Sequence, residues 1–275
     1  MPERHGALKA MAAVETLFRR DDAVVLAAIL LLALLAWLAT IAGAGTGMDP
    51  FAMSGWGVPA APPAPAAAWS LSYWLIVFFM WVVMMVAMML PGTAPMVLLY
   101  ARVVRKGSDP ASTRVRAAIS AFASGYLAVW IGFSLFAVCA QFGLERLGAM
   151  SAMMSLSPPY LAAALLIATG LYQLTPLKQA CLNHCRGPLS FLAAHWRAGI
   201  GGAFRMGVAH GAYCLGCCAA LMLLLFVGGV MNLIWIAALT LLVAVEKLAP
   251  FGAAVAKATG VALIAGGAVL LAAGP

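Results

Sequence analysis

The sequence predicts an all-α protein, a polytopic membrane bundle of about seven transmembrane helices, and three observations support this fold class. Hydrophobic residues make up 65% of the 275 residues, charged residues make up only 9%, and the mean hydropathy is +1.03. A soluble domain carries about 25% charged residues, so this chain lacks the polar surface that a water-exposed globule needs. Its apolar runs are about 20 residues long, which is the length that crosses a bilayer as a helix.

The predicted spans follow one another along the chain, and helix-breaking residues mark several of their ends. Pro91 ends the second span, Pro176 ends the fourth, and Gly228-Gly229 makes a tight turn before the sixth. The predicted spans cover about residues 24–43, 70–90, 118–140, 159–175, 206–227, 231–249 and 253–273.

The chain divides into four predicted regions. Residues 1–23 form a cytoplasmic N-terminal segment, 24–43 the first transmembrane anchor, 44–69 an outward linker rich in Pro, Ala and Gly, and 70–275 a six-helix membrane domain. A cleavable signal peptide that ends at the small residues 42–44 is the alternative interpretation of the first span.

The distribution of basic residues predicts the orientation in the membrane. With these spans, 15 of the 16 Lys and Arg residues fall on one side, and Arg146 alone falls on the other. The positive-inside rule then places the N-terminus in the cytoplasm and the C-terminus outside, as expected for a multi-pass protein of the bacterial inner membrane. The net charge of +8 comes from basic residues that lie between the predicted spans, so it gives no support for a nucleic-acid partner.

The strongest functional signal is a pair of cysteine clusters that the predicted topology places at the same membrane face. One cluster follows the fourth span, and the other occupies the first turns of the fifth span. Helical spacing places His210, Cys214 and Cys217 on one helix face, with Cys218 beside it. The predicted metal site has four thiols as core ligands and three alternates: Cys181, Cys185, Cys214 and Cys217, then Cys218, His184 and His210.

Thiolate and imidazole ligands suit Cu(I), Zn(II) or an iron–sulfur cluster, so the bound group is expected to be a soft metal ion. The spacing of these cysteines does not match a standard zinc finger. Arg186 directly follows the first cluster and is expected to favour ionised thiols. Cys139 stands alone in the third span and is expected to be a small apolar residue.

A methionine stripe on the second span makes Cu(I) the favoured ion. Met80, Met84 and Met88 recur every fourth residue, and Met85 and Met89 widen the stripe. Thioethers bind Cu(I) well and hard cations badly, although methionine also simply fills gaps between packed helices. The predicted outward loops add more methionines: Met48, Met53, Met150, Met153 and Met154. We therefore treat Met80, Met84, Met88 and Met89 as possible transit ligands for Cu(I), and the sequence leaves the direction of movement open.

Glu246, near the predicted cytoplasmic end of the sixth span, is an ionisable residue inside an apolar run. Such residues are functional candidates in membranes. It is expected either to pair with its neighbour Lys247 or to reach the interface, and a link to the protons released when thiols bind metal is possible.

Several of these motifs together resemble a bacterial family of predicted metal-binding integral membrane proteins. The resemblance covers about residues 70–260 and rests on the order and spacing of five blocks: Met88-Met89-Leu90-Pro91; Tyr172 to Lys178 leading to Cys181, His184, Cys185, Arg186 and Pro188; His210-Gly211 to Cys217-Cys218; Gly228 to Leu233; and Glu246-Lys247. Ala219 departs from the aromatic residue expected after the double cysteine. That family is a domain of unknown function, some of whose members carry the label copper chaperone, and the resemblance implies metal binding.

Three hypotheses for the function follow. The leading one is a non-enzymatic copper-handling protein: a chaperone, transfer factor or permease for Cu(I), with a metal-donating or metal-accepting protein as its partner. The second is a membrane thiol–disulfide redox protein that uses Cys217-Cys218 or a Cys185–Cys214 pair. The third is a structural subunit of a membrane complex, whose cysteines only hold two spans together.

Overall fold

The computed structural model describes residues 2–55, 69–106, 112–152 and 154–273, with side chains described from residue 22 onward. This described part contains helices and no strand, so the predicted all-α fold class is confirmed. In chain order the helices are α1 (Pro2–Ile41), α2 (Leu71–Met89), α3 (Ala94–Lys106), α4 (Thr113–Arg146), α5 (Pro159–Leu174), α6 (Pro176–Arg186), α7 (Pro188–His195), α8 (Gly199–Leu223), α9 (Leu225–Gly228), α10 (Leu233–Leu248) and α11 (Gly252–Ala272).

Within the described ranges, five helices are long and apolar enough to cross a membrane. They are Asp22–Ile41 of α1, α2, α4, α11 and the combined α8–α9 segment Gly199–Gly228. The α5–α6 pair is a sixth candidate, broken by a bend of 64°. The predicted span at 231–249 corresponds to α10, whose 16 residues rise about 24 Å, less than the hydrocarbon core of about 30 Å. The count of seven and the outward C-terminus stay predictions.

Two further helices lie where the sequence suggested only loops. α3 follows the 3₁₀ turn Pro91–Thr93, and α7 follows α6 after Gly187. A search for long apolar runs finds neither helix, because α3 mixes basic with apolar residues and α7 is only 8 residues long. α1 is one helix from Pro2 to Ile41, and its part from Asp22 onward is apolar enough to cross a membrane. The division into a cytoplasmic segment 1–23 and an anchor 24–43 stays a prediction.

The centre of the bundle is formed by α4 and α8, which pack against each other along most of their length. Gly207 of α8 lies directly against the backbone of Phe122, so any side chain at this position would collide with α4. Small residues let membrane helices approach closely in this way, where van der Waals contact replaces the hydrophobic driving force. This close pair fixes the face of α8 that carries His210 and the second cysteine cluster.

Part of the predicted linker packs on the bundle. The Ser54 hydroxyl accepts a hydrogen bond of 2.9 Å from the Leu233 amide, and the Asn232 side chain donates one of 2.8 Å to the Gly55 carbonyl. These contacts tie residues 46–55 to the turn before α10. Residues 56–68 of the linker and Met153 lie outside the described residues.

Candidate thiol and methionine site

The break between α5 and α6 brings the first cysteine cluster to the second. Pro176 occupies the first turn of α6, and the Thr175 hydroxyl caps that helix by accepting a hydrogen bond from the Lys178 amide at 3.2 Å. The chain bends by 64° at this point, and α6 packs against α8 instead of extending α5. The two clusters therefore face each other across the α6–α8 interface.

Four thiols form one connected group at this interface. The Sγ atom of Cys217 lies 3.2 Å from that of Cys218 and 3.7 Å from that of Cys185 on α6. Cys214 lies one turn earlier on α8 and also interacts with the thiols of Cys185 and Cys218. Cys214, Cys217 and Cys218 are each only 1% exposed, whereas Cys185 is half-buried. The sequence predicted that the two cysteine groups converge. We call the four cysteines that meet here the thiol cluster: Cys185, Cys214, Cys217 and Cys218.

Cys181, the remaining predicted core ligand, lies one turn before Cys185 on α6 and is half-buried. Its sulfur packs against Gly216 of α8, where a Cβ atom would lie only 2.7 Å from Sγ. Gly216 is thus required for the close approach of the two helices, and Cys181 contributes to that packing.

The two histidines have different surroundings. His184 stacks on the Tyr213 ring at 4.1 Å, and its Nδ1 is 2.9 Å from the Ala180 carbonyl. His210 is 3% exposed and lies one turn before Cys214, close to the rings of Tyr126 and Phe191. Its buried Nδ1 has no hydrogen-bond partner among the described residues.

A buried lysine lies directly on the thiol cluster. The Lys247 ammonium donates a hydrogen bond of 3.0 Å to Cys214 Sγ and lies 3.9 Å from Met89 Sδ. Tyr126 of α4 bridges the same two residues, since its hydroxyl lies 3.1 Å from Cys214 Sγ and donates to the Met89 carbonyl at 3.0 Å. A buried ammonium needs a negative partner, and a thiolate at Cys214 supplies one. Nothing in the sequence pattern pointed to Tyr126.

Glu246 pairs with Lys178, and not with its neighbour Lys247 as the sequence suggested. The Lys178 ammonium lies 2.6 Å from Glu246 Oε2, and the Gln173 amide donates to Oε1 at 2.8 Å. Lys178 also donates to the Cys217 carbonyl. Lys178 and Glu246 are 0% and 1% exposed, so Lys178 is not the cytoplasmic loop residue that the count of basic residues assumed. The rule that treats ionisable residues within membranes as functional would have selected Lys178.

Arg186 has a different role from the predicted one. Its guanidinium donates to the Glu246 carbonyl at 3.1 Å and to the Pro250 carbonyl at 2.8 Å. These bonds fasten the end of α6 to the end of α10. The cation beside the thiols is therefore Lys247, which the sequence suggested only as a partner for Glu246.

The methionine stripe of α2 is buried and shares one apolar core with the thiols. Met80, Met84, Met85, Met88 and Met89 are all 3% exposed or less. The same core contains Cys214, Cys217 and Cys218 together with methionines from the predicted outward side: Met150 and Met154, with Met48 and Met53 packed against them. Methionine sulfurs therefore line the core along the second half of α2, from Met80 to Met89 beside Lys247 and Cys214.

The described residues contain no group of three or more Cys, His, Asp or Glu side chains in an arrangement that could hold a metal ion. A tetrahedral metal–thiolate site with bonds of about 2.3 Å places its sulfurs about 3.8 Å apart. The separation between Cys185 and Cys217 meets that value, but that between Cys217 and Cys218 is too short. In the structure described, Lys247 is the cation in contact with Cys214.

The fold and this site define an all-α, multi-pass membrane protein with soft sulfur donors in its core. Residues 78–270 match the family model PpoB2, which is described as a copper chaperone, and this chain belongs to that family. No curated protein and no solved structure gives a significant match.

Proposed function

We propose that this protein binds Cu(I) and passes it on, as a copper chaperone, transfer factor or transporter of the bacterial inner membrane. The observation that carries the proposal is the continuity of buried methionine and cysteine sulfur within one core. Thioethers and thiolates are the ligands that select Cu(I) over hard cations. The family description points in the same direction.

The two kinds of sulfur suit two stages of handling. Methionine is a neutral ligand, so an ion bound by Met80, Met84 or Met88 is held weakly and moves on readily. Thiolates hold Cu(I) more strongly, and two of them with one Cu(I) carry a net negative charge that Lys247 is placed to balance. In this scheme the ion enters along α2 and comes to rest on the thiol cluster.

Exchange with another protein is proposed to occur at α6. Cys185 is the half-buried member of the thiol cluster, and α6 also carries the half-exposed His184. An incoming thiol or thioether from a donor or acceptor protein can reach Cys185 before it reaches the three cysteines of α8. This role is binding and transfer, and we assign no catalytic residue.

The test is the copper content of the full chain after anaerobic loading with Cu(I) and removal of weakly bound metal. Wild-type protein is expected to retain about one copper ion per chain, and Cys214→Ser at least about tenfold less. Cys139→Ser is the matched control, because Cys139 is exposed on α4 and belongs to no cluster. Equal copper retention in all three proteins would sink the proposal.

A thiol–disulfide redox function is a second candidate, and the contact of 3.7 Å between Cys185 and Cys217 favours it. Closing a disulfide there would require the two sulfurs to approach to about 2.05 Å. This function predicts a redox-dependent shift in gel mobility that Cys185→Ser abolishes and that a copper chelator leaves intact. If the cysteine variants instead fail to accumulate in the membrane at all, a structural role gains support.

A further inference from the structure

A groove lies between α1 and α4, two of the helices that are long and apolar enough to cross a membrane. Its volume is about 490 Å³, within the range of about 300–1,000 Å³ that is usual for small-molecule sites. Ala28 and Leu32 of α1 form one wall, Ile119 and Leu127 of α4 form the other, and Leu90 lies at its base. These walls are entirely apolar.

The mouth of the groove is strongly basic. Arg105 and Arg116 line it together with the Ser120 hydroxyl, and Arg116 is exposed. Asp22 pairs with Arg105 at 2.9 Å and with Arg102 at 2.6 Å, so that carboxylate is shared by two guanidinium groups. Among the described residues no ion pair is assigned to Arg116, so its guanidinium group is the cation that the mouth offers to a ligand.

The dimensions of the groove fit one leaflet of a membrane. Its lining runs from Val24 to Leu32 on α1 and from Val115 to Leu127 on α4, which correspond to rises of about 12 and 18 Å. Half of the hydrocarbon core is about 15 Å thick. A molecule with one charged end and an apolar chain of that length would place its charge at the arginines and its chain between the helices.

We propose that this groove binds one anionic glycerophospholipid, with its phosphodiester at Arg116 and one acyl chain between α1 and α4. The guanidinium group offers the forked donors that suit a phosphodiester. A zwitterionic lipid carries a cation in its own headgroup, which the basic mouth would repel, so it would bind less tightly. The bound lipid would join α1 to α4 along one side of the bundle.

The proposal is tested by native mass spectrometry of the full chain in detergent, with phosphatidylglycerol and phosphatidylcholine added at equal concentrations. Wild-type protein is expected to retain phosphatidylglycerol preferentially, and Arg116→Gln to bind it about fivefold more weakly. Lys257→Gln is the matched control, since it removes an exposed basic residue at the start of α11, and it should bind as wild type does.

A second variant distinguishes binding of the lipid's acyl chain from binding of its headgroup. Ala28→Phe fills the apolar part of the groove and leaves every charge in place, so it should reduce retention of phosphatidylglycerol while the protein remains folded. Equal binding of the two lipids by wild-type protein would overturn the proposal. So would unchanged binding in both Arg116→Gln and Ala28→Phe.

Discussion

The apolar core that contains the methionine stripe of α2 and the thiol cluster has two ends. The sulfurs at the methionine end have uncharged surroundings, and those at the thiol end have buried charges beside them. Around Met80 and Met84 the core is apolar and the sulfurs are neutral, so packing alone keeps them in place. Around Cys214 the same core contains the buried charges of Lys178, Glu246 and Lys247. Such charges cost several kcal/mol each unless they are paired. Neutral ligands can therefore be placed by helix periodicity, whereas ionised ligands require cations from distant helices.

The largest expected effect comes from unbalancing the charged end. Glu246→Gln leaves the Lys178 ammonium buried without its carboxylate, which should destabilise the protein by about 3–5 kcal/mol. The measurement is thermal or denaturant unfolding in detergent. The double variant Lys178→Met/Glu246→Gln removes both charges and should recover much of the loss. If Glu246→Gln unfolds as wild type does, the ion pair contributes nothing to the fold.

An intermediate effect is expected from Lys247→Met. The substituted side chain keeps much of the apolar volume but removes the charge that faces Cys214. A charge-assisted hydrogen bond contributes about 1.5–3 kcal/mol, so Cu(I) affinity should fall at least about tenfold. Competition with a chromogenic Cu(I) chelator measures this affinity. A rise in affinity would mean that Lys247 competes with copper for Cys214 and does not stabilise the bound ion.

The smallest expected effect on folding comes from the neutral end. Met84→Leu conserves volume and should change stability by less than about 1.5 kcal/mol. Copper retained on the thiol cluster should be unchanged, but the rate of Cu(I) uptake into the chain should fall, because a thioether on the proposed entry route is lost. Time-resolved uptake by protein in vesicles measures this rate. Identical rates in wild type and Met84→Leu would make Met84 a packing residue only.

The same contrast between local and long-range determinants explains which parts of the structure could be predicted from the sequence. Long apolar runs are local signals, and they predicted the membrane helices near Asp22–Ile41, Leu71–Met89 and Gly252–Ala272 to within a few residues. The amphipathic α3 was missed because its basic residues resemble a loop in hydropathy. The break after α5 was visible as Pro176, but the sequence does not give the angle at which α6 turns back.

Within the site, the spacing of the cysteines along the chain indicated their role, whereas no sequence pattern indicated the cations beside them. Cys214 and Cys217 share a helix face by periodicity alone, so their side of the site was predictable. Lys178 and Glu246 are 68 positions apart, and Tyr126 and Cys214 are 88 apart. Contacts at such separations depend on how the helices pack, which one sequence does not reveal.

The most direct test of the central claim is X-ray absorption at the copper edge, recorded on Cu(I)-loaded wild-type protein and on Cys214→Ser. The account predicts a first coordination shell made only of sulfur in the wild type, and loss of a sulfur or of the bound copper in the variant. A first shell of nitrogen or oxygen in the wild type, or an identical spectrum and copper content in both proteins, would contradict it.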